Sequence, residues 1–120
     1  MAAFPYRRVH FIGVAGVGMS ATALLLRDSG VAVTGSDEAI YPPISDVLKA
    51  EKLDCRTPYN PANIPQGVDC FVIGKNARLV PQTNAEVAEA FRLAEMGQVA
   101  ILSFAEVLGL LSKDKQAVVM

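Results

Sequence analysis

Short apolar runs alternate along the chain with segments of helical periodicity. Residues 8–14 are nearly all apolar and rich in β-branched and aromatic side chains, which is typical of a strand buried on both faces of a parallel sheet. After them, Met19, Ala23 and Leu26 recur at helical spacing, and Gly30 is placed to end that helix. The whole pattern predicts strands at 8–14, 31–35, 54–57, 68–73 and 99–102, and helices at 19–29, 42–53, 83–96 and 103–111.

The sequence contains capping residues at the ends of the last two predicted helices. Thr83 with Glu86, and Ser103 with Glu106, have the spacing of capping boxes, in which a hydroxyl and a carboxylate each accept a backbone amide at a helix start. Gly97 is placed to close the first of these two helices, because glycine readily adopts the left-handed conformation at a helix end.

Strands that alternate with helices through short connections predict parallel β-α-β units. We therefore expect one α/β domain, a Rossmann-like doubly wound fold with a mostly parallel five-stranded sheet and the first strand near its centre. Residues 59–67, rich in proline and asparagine, are predicted to form a surface loop, and residues 117–120 to begin a further apolar strand. Such a sheet binds its ligand at the carboxyl ends of its strands, beside the first strand.

Composition narrows the function classes. The 120 residues are 52% hydrophobic and 19% charged, which excludes a disordered chain. The net charge of −1 comes without a basic stripe, so no nucleic-acid partner is expected. Cys55, Cys70 and a single histidine do not have the spacing of a zinc site, so no metal is predicted. We interpret both cysteines as reduced thiols of a cytoplasmic protein.

Residues 9–26 carry no formal charge and follow Arg7 and Arg8, a pattern that a signal peptide or membrane anchor can share. Glycines at 13, 16 and 18 interrupt this run, and each would destabilise a continuous helix by close to 1 kcal/mol relative to alanine. A strand, a glycine turn and a helix fit the run better, and no membrane partner is expected.

The glycine turn is the main candidate for binding chemistry. Gly13, Gly16 and Gly18 form the spacing G-x-x-G-x-G, and Ala15 stands where the dehydrogenase pattern has its middle glycine. Small residues let the backbone approach a pyrophosphate, and the amides of residues 16–19 at the helix start would hold its charge. The alternative is that these glycines only allow a tight turn and close packing of strand and helix.

Further candidates follow the second and fourth strands. Ser36 and Asp37 lie roughly 20 residues after the turn, about where an acidic residue reaches a bound nucleoside. Lys75 and Arg78 are candidates for phosphate, and Asn76 for a base or sugar. The alternatives are a strand-ending turn for the first pair and solvated loop charges for the two cations.

His10 is interpreted as a buried histidine with its hydrogen bonds satisfied, not as a base. No serine, cysteine or carboxylate is placed by sequence to work with it. No catalytic residue is predicted in this chain.

The segments 10–13, 16–20 and 35–37 together resemble the N-terminal domain of the Mur ligases, ATP-dependent enzymes that form amide bonds in bacterial peptidoglycan synthesis and recycling. Ser36-Asp37 with residues 41–45 is most similar to the murein-recycling branch, which joins UDP-N-acetylmuramate to L-alanyl-γ-D-glutamyl-meso-diaminopimelate. The branch that adds L-alanine to UDP-N-acetylmuramate is the next best match. The resemblance covers essentially all 120 residues.

This resemblance implies that residues 1–120 form the domain that binds the UDP part of a UDP-N-acetylmuramate-type substrate. The implied contacts are Ala15, Gly16, Val17, Gly18, Met19, Ser20, Ser36, Asp37, Lys75 and Asn76. It also implies that ATP and Mg²⁺ are bound by central and C-terminal domains outside this chain, which would be its partners. These residues would position the substrate and make or break no bond.

One feature departs from the family pattern. Members of the family tend to have a shorter Gly-Asn-Ala turn after the fourth strand, whereas here Lys75 precedes Asn76 and the stretch to Asn84 is longer. Two rival interpretations are a stand-alone module that senses NAD or another nucleotide, and a purely structural α/β domain. The glycine spacing and the apolar segment at 117–120 fit the sensing module poorly, and a structural domain would leave the glycines and Asp37 without a ligand.

Overall fold

The computed structural model describes residues 4–75, 79–97 and 99–119, which form five strands, four α-helices and one 3₁₀ turn. The strands are β1 (Arg8–Ile12), β2 (Ala32–Ser36), β3 (Asp54–Arg56), β4 (Cys70–Ile73) and β5 (Ala100–Ser103). The helices are α1 (Val17–Asp28), α2 (Ile44–Ala50), α3 (Ala85–Glu95) and α4 (Phe104–Val119), and the 3₁₀ turn is Pro61–Asn63. The predicted α/β class and alternation of elements are confirmed.

The sheet is entirely parallel among the described residues, with the order β3-β2-β1-β4-β5. In this order β1 is central, as predicted, and His10 lies opposite Thr34 on β2 and Phe71 on β4. The chain moves outward from β1 through β2 to β3, then returns to the other side of β1 for β4. The point of reversal, where this fold class binds ligands, is therefore the carboxyl end of β1.

Each face of the sheet is covered by its own apolar layer. Val9 and Phe11 point to the layer that contains residues of α1, α2 and α4. Ile12 and Phe71 point to the opposite layer, which contains Val87 and Ala90 of α3. Because both faces are covered, β1 and β4 are buried almost completely, which explains their continuous apolar sequence.

The uncharged run 9–26 divides into β1, the glycine turn and α1, as predicted. Gly30 adopts φ +103° directly after the C-cap of α1, and Gly97 adopts φ +80° after α3, so both predicted helix stops are confirmed. None of the helices within the described residues is long and apolar enough to cross a membrane.

The predicted start of the third α-helix was wrong. The N-cap of α3 is Asn84 and not Thr83: the Asn84 side chain accepts the amides of Glu86 at 3.0 Å and Val87 at 3.1 Å. The carboxylate of Glu86 does not complete a capping box, because it is buried against the sheet.

The predicted strand at 117–120 was also wrong within the described residues, because α4 continues to Val119. The Ser103–Glu106 capping box does start this helix: Ser103 N donates to Glu106 Oε1 at 2.7 Å, and Glu106 N donates to Ser103 Oγ at 3.0 Å. No glycine or proline follows Gly109 in the helix, so no residue there stops it before the valines.

Candidate functional site

The glycine turn joins β1 to α1 at the predicted place, and the end of β2 holds it. Gly13 and Val14 both donate their amides to the carbonyl oxygen of Ser36, at 2.9 and 3.0 Å. Gly13 has φ +92°, a conformation that favours glycine, and Gly16 N donates to Gly13 O at 3.2 Å. The first part of the turn is therefore a closed backbone structure with its amides already used.

Asp37 holds the next part of the turn. Its Oδ2 accepts the amide of Ala15 at 2.9 Å, and its Oδ1 accepts the amide of Glu38 at 2.8 Å and the hydroxyl of Tyr59 at 3.2 Å. Burial, with the nearby Asp37 carboxylate, raises the pKa of Tyr59, so its hydroxyl remains a donor. The sequence placed Asp37 near a nucleoside; the structure adds a role within the protein, and the nucleoside contact stays a prediction.

The first turn of α1 contains the backbone amides that the sequence predicts to bind an anion. The helical ladder begins with Ser20 N donating to Gly16 O at 3.0 Å, so the amides of Val17, Gly18 and Met19 precede the ladder. Gly16 is the N-cap and has no side chain to cap the helix, and the first turn contains no acidic residue. The positive end of the helix is thus left without a carboxylate in its own first turn.

Gly18 and Met19 of this first turn line a cleft of about 320 Å³ at the carboxyl ends of β1, β2 and β4. We call it the glycine-turn cleft. Its lining residues are Gly13, Gly16, Gly18, Met19, Asp37, Tyr59, Gly74, Lys75, Leu79 and Phe104. Lys75 contributes a cation to this lining and is exposed to solvent. A helix start with no acidic residue in its own first turn, together with a lysine, favours an anionic ligand; the Asp37 carboxylate in the same lining already accepts the amides of Ala15 and Glu38.

Gly16 and Gly18 are glycines for different reasons. A Cβ on Gly16 would have Met19 Cγ as its nearest neighbour at 3.4 Å, an ordinary contact. A Cβ on Gly18 would collide with the ring of Phe104, whose Cε2 would be 2.8 Å away. The packing alternative therefore applies to Gly18, whereas space for a ligand remains an explanation for Gly16.

The other predicted contact residues differ in how accessible they are. Ser36 is fully buried, and its hydroxyl donates to Glu86 Oε2 at 2.6 Å, so the residue acts at the turn through its carbonyl oxygen. Ser20 and Met19 are also buried, although Met19 lines the cleft. Asn76 and Arg78 lie outside the described residues.

A buried polar network lies beneath the site, and sequence reasoning missed it. His10 and Glu86 are both 0% exposed, and His10 Nε2 lies 2.6 Å from Glu86 Oε2, while His10 Nδ1 lies 2.6 Å from Thr34 Oγ1. His10 is thus a satisfied buried histidine, as predicted, but the expectation that no carboxylate accompanies it was wrong. The two residues are 76 positions apart, so no local pattern connects them.

Glu86 also holds the loop that follows β3. Its Oε1 accepts the amide of Asn60 and the side-chain nitrogen of Asn63, each at 3.0 Å. Burial by itself raises the pKa of a carboxyl group, but the hydrogen bonds from His10, Ser36, Asn60 and Asn63 outweigh it and lower the pKa of Glu86 below its ordinary value. One charged side chain therefore joins α3, β1, β2 and this loop.

Comparison with known proteins matches the chain to one family. Residues 8–116 match the family model described as "Mur ligase family, catalytic domain". The UDP-N-acetylmuramate–L-alanine ligase of Treponema pallidum is 36% identical over 102 residues, which are 85% of this chain and 20% of that protein. The UDP-N-acetylmuramate–L-alanyl-gamma-D-glutamyl-meso-2,6-diaminoheptandioate ligase of Escherichia coli K12 is 34% identical over 67 residues, 56% of this chain and 15% of that protein.

A solved structure agrees with these sequence matches. The murein peptide ligase of Psychrobacter arcticus 273-4 superposes with a TM-score of 0.71 at 26% identity, covering 89% of this chain and 20% of that one. The matched proteins thus include both branches that the sequence resembles. The chain spans about a fifth of the length of the relatives it matches.

Proposed function

Because this chain belongs to the Mur ligase family, we propose that it binds the UDP part of a UDP-N-acetylmuramate-type substrate for a ligase of peptidoglycan synthesis or recycling. The observation that carries the proposal is the start of α1, where the amides of Val17, Gly18 and Met19 precede the helical ladder beside a cleft that contains Lys75. A diphosphate is an anion of the size and charge that such a helix start binds.

In this proposal each part of the site has a separate task. The three amides and Lys75 hold the diphosphate, and the missing side chain of Gly16 gives it room. The Ser36 carbonyl and the Asp37 carboxylate keep the turn in the conformation that presents those amides. The site holds and orients a substrate and transfers no proton.

We propose that ligase activity also needs the domains of the relatives that lie outside the region matched by this chain. The sequence lacks the G-x-x-x-x-G-K-[ST] pattern of an ATP loop. Among the described residues, no three His, Cys, Asp or Glu side chains are grouped to hold a metal ion. We therefore propose that ATP and Mg²⁺, which would supply activation of the substrate carboxylate, bind to central and C-terminal domains that act with this one.

A cytoplasmic location is proposed from the two cysteines. Both are free in the structure. Burial, with smaller effects of nearby carboxylates, raises the pKa of Cys55 to about 11 and that of Cys70 to about 12, which keeps both as unreactive thiols. Free cysteines without disulfides are typical of a reducing compartment.

The proposal is tested by NMR titration of the isotope-labelled 120-residue chain with UDP-N-acetylmuramate and, separately, with NAD. Amide shifts are expected at residues 14–20 with the UDP ligand, with weak affinity because its muramyl end stays unheld. Equal or larger shifts with NAD would favour the nucleotide-sensing module. A chain without shifts at residues 14–20 in millimolar UDP-N-acetylmuramate would refute the proposed site.

A further inference from the structure

The glycine-turn cleft has an aromatic wall on the β2 side, formed by Tyr59. This residue lines the cleft beside Asp37, and its hydroxyl donates to Asp37 Oδ1 at 3.2 Å. Its ring also packs against the apolar cluster of Ile12, Phe71 and Val87 on the α3 face of the sheet. Tyr59 is therefore half-buried, supported by the core and in contact with the cleft.

The backbone that presents Tyr59 is fixed without a ligand. The next residue, Asn60, donates its amide to the buried carboxylate of Glu86 at 3.0 Å, and its own side chain accepts the amide of Ala62 at 2.8 Å. Asn63 donates to the same Glu86 oxygen at 3.0 Å. A ring held in this way has little freedom left to lose when a ligand binds, which favours its use as a binding surface.

Two aromatic side chains line the cleft, Phe104 and Tyr59, and they lie next to different parts of it. The ring of Phe104 occupies the space next to Gly18, against the first turn of α1. Tyr59 lies at the end of β2, beside the carboxylate that holds the turn. If the diphosphate of a ligand binds to the amides of α1, Phe104 lies next to the diphosphate. Tyr59 then lies next to the part of the ligand that extends toward the end of β2.

Asp37 by itself is poorly suited to read a base, because its two oxygens already accept three hydrogen bonds from Ala15, Glu38 and Tyr59. We propose that Tyr59 binds the base: its ring is the surface on which the planar pyrimidine of a nucleoside diphosphate stacks, and its hydroxyl keeps Asp37 on the glycine turn. This inference rests on the proposed function and adds to it the residue that receives the base. Aromatic side chains bind bases in this way because every base has a π-face.

The test compares the 120-residue chain with its Tyr59→Leu and Tyr59→Phe variants, with UDP as the probe. Tyr41→Leu is the matched control, because Tyr41 is 73% exposed and does not line the cleft. Two readouts are measured by NMR: the dissociation constant from the amides of α1, and the shift of the uracil H5 and H6 protons on binding. An intermolecular NOE between these protons and the Tyr59 ring in the wild-type chain is the third measurement.

We expect an NOE to the Tyr59 ring and an upfield shift of H5 and H6 in the wild-type chain and in Tyr41→Leu. Tyr59→Phe should keep the upfield shift, whereas Tyr59→Leu should lose it and weaken UDP binding roughly 5- to 100-fold. A saturated wild-type complex without the NOE, or a folded Tyr59→Leu variant with unchanged shift and affinity, would overturn the inference. If the wild-type amides of α1 do not respond to UDP, the proposed function fails first. If they respond but Tyr59 is not contacted, this inference alone fails.

Discussion

The carboxylate of Asp37 accepts the backbone amide of Ala15 at 2.9 Å and so fastens the middle of the glycine turn to the end of β2. This hydrogen bond joins the carboxyl ends of the neighbouring parallel strands β1 and β2, at the point where the strand order of the sheet reverses. It means that the residue expected to touch a nucleoside also sets the shape of the turn that would hold the diphosphate. Stability and binding are therefore expected to change together at this position.

Asp37→Ala is expected to lower the free energy of unfolding by about 1–3 kcal/mol, because the partly buried amide of Ala15 loses its acceptor. UDP-N-acetylmuramate affinity should fall in the same variant as the turn loosens. Urea denaturation and NMR titration measure the two effects. Glu38→Ala is the matched control: it removes the neighbouring exposed carboxylate but keeps the amide that Asp37 accepts. Equal effects of both variants would contradict a specific role of Asp37.

Gly16→Ala and Gly18→Ala are expected to separate binding from folding. The methyl group at position 16 makes only ordinary contacts, the nearest at 3.4 Å, but narrows the cleft, so the domain should fold and lose UDP-N-acetylmuramate affinity at least tenfold, about 1.4 kcal/mol. The methyl group at position 18 collides with Phe104 and should lower the free energy of unfolding by about 1–3 kcal/mol.

A second substitution tests whether contact with Phe104 causes the loss of stability expected in Gly18→Ala. Phe104→Leu in the Gly18→Ala background should recover part of the lost stability, because the shorter side chain leaves room for the methyl group. Thermal and urea unfolding of the single and double variants measure this coupling. Strictly additive losses would show that Phe104 is not the obstacle.

Asn84→Ala is expected to lower the free energy of unfolding by about 1–2 kcal/mol, since the amides of Glu86 and Val87 lose the side chain that caps α3. Thr83→Ala should change it by a few tenths at most, because Thr83 does not cap the helix. The pair is compared by urea denaturation under identical conditions. A larger effect of Thr83→Ala would restore the capping box that the sequence predicted.

Stability should fall on acidification because of Glu86. Its pKa is lowered in the folded state, so its contribution is fully present above the unfolded value of about 4.5 and is lost as the pH falls through the lower folded-state pKa. Glu86→Gln should flatten the pH dependence of the free energy of unfolding below about pH 4.5. Glu95→Gln, an exposed change on the same helix, serves as the control. An unchanged pH profile in Glu86→Gln would contradict this assignment.

The features that sequence predicted best depend on residues close together in the chain. The strand–turn–helix unit at 9–28, the stops at Gly30 and Gly97 and the Ser103–Glu106 box all follow from local periodicity and local conformational preference. Asn84 was missed because threonine and asparagine stand side by side and both are good caps. The register against the sheet, which the sequence does not display, decides between them.

The parts of the site that sequence reasoning missed are contacts between distant residues. The bond from Asp37 to Ala15 and the attachment of Tyr59 to Asp37 arise because parallel strands bring their carboxyl ends together. Sequence indicates which side chains follow each strand, but not which of them bind each other. Glu86 looks like a surface residue of a helix start until its four partners are known.

The pairing of His10 with Glu86 also determines when this domain can become complete during synthesis. The central strand leaves the ribosome early, yet the carboxylate that its histidine needs follows 76 residues later. At typical elongation rates this delay is on the order of 4 to 15 s. Throughout that time the nascent chain has a polar side chain at its future centre without its carboxylate partner, so this buried contact can form only after the start of α3 is made.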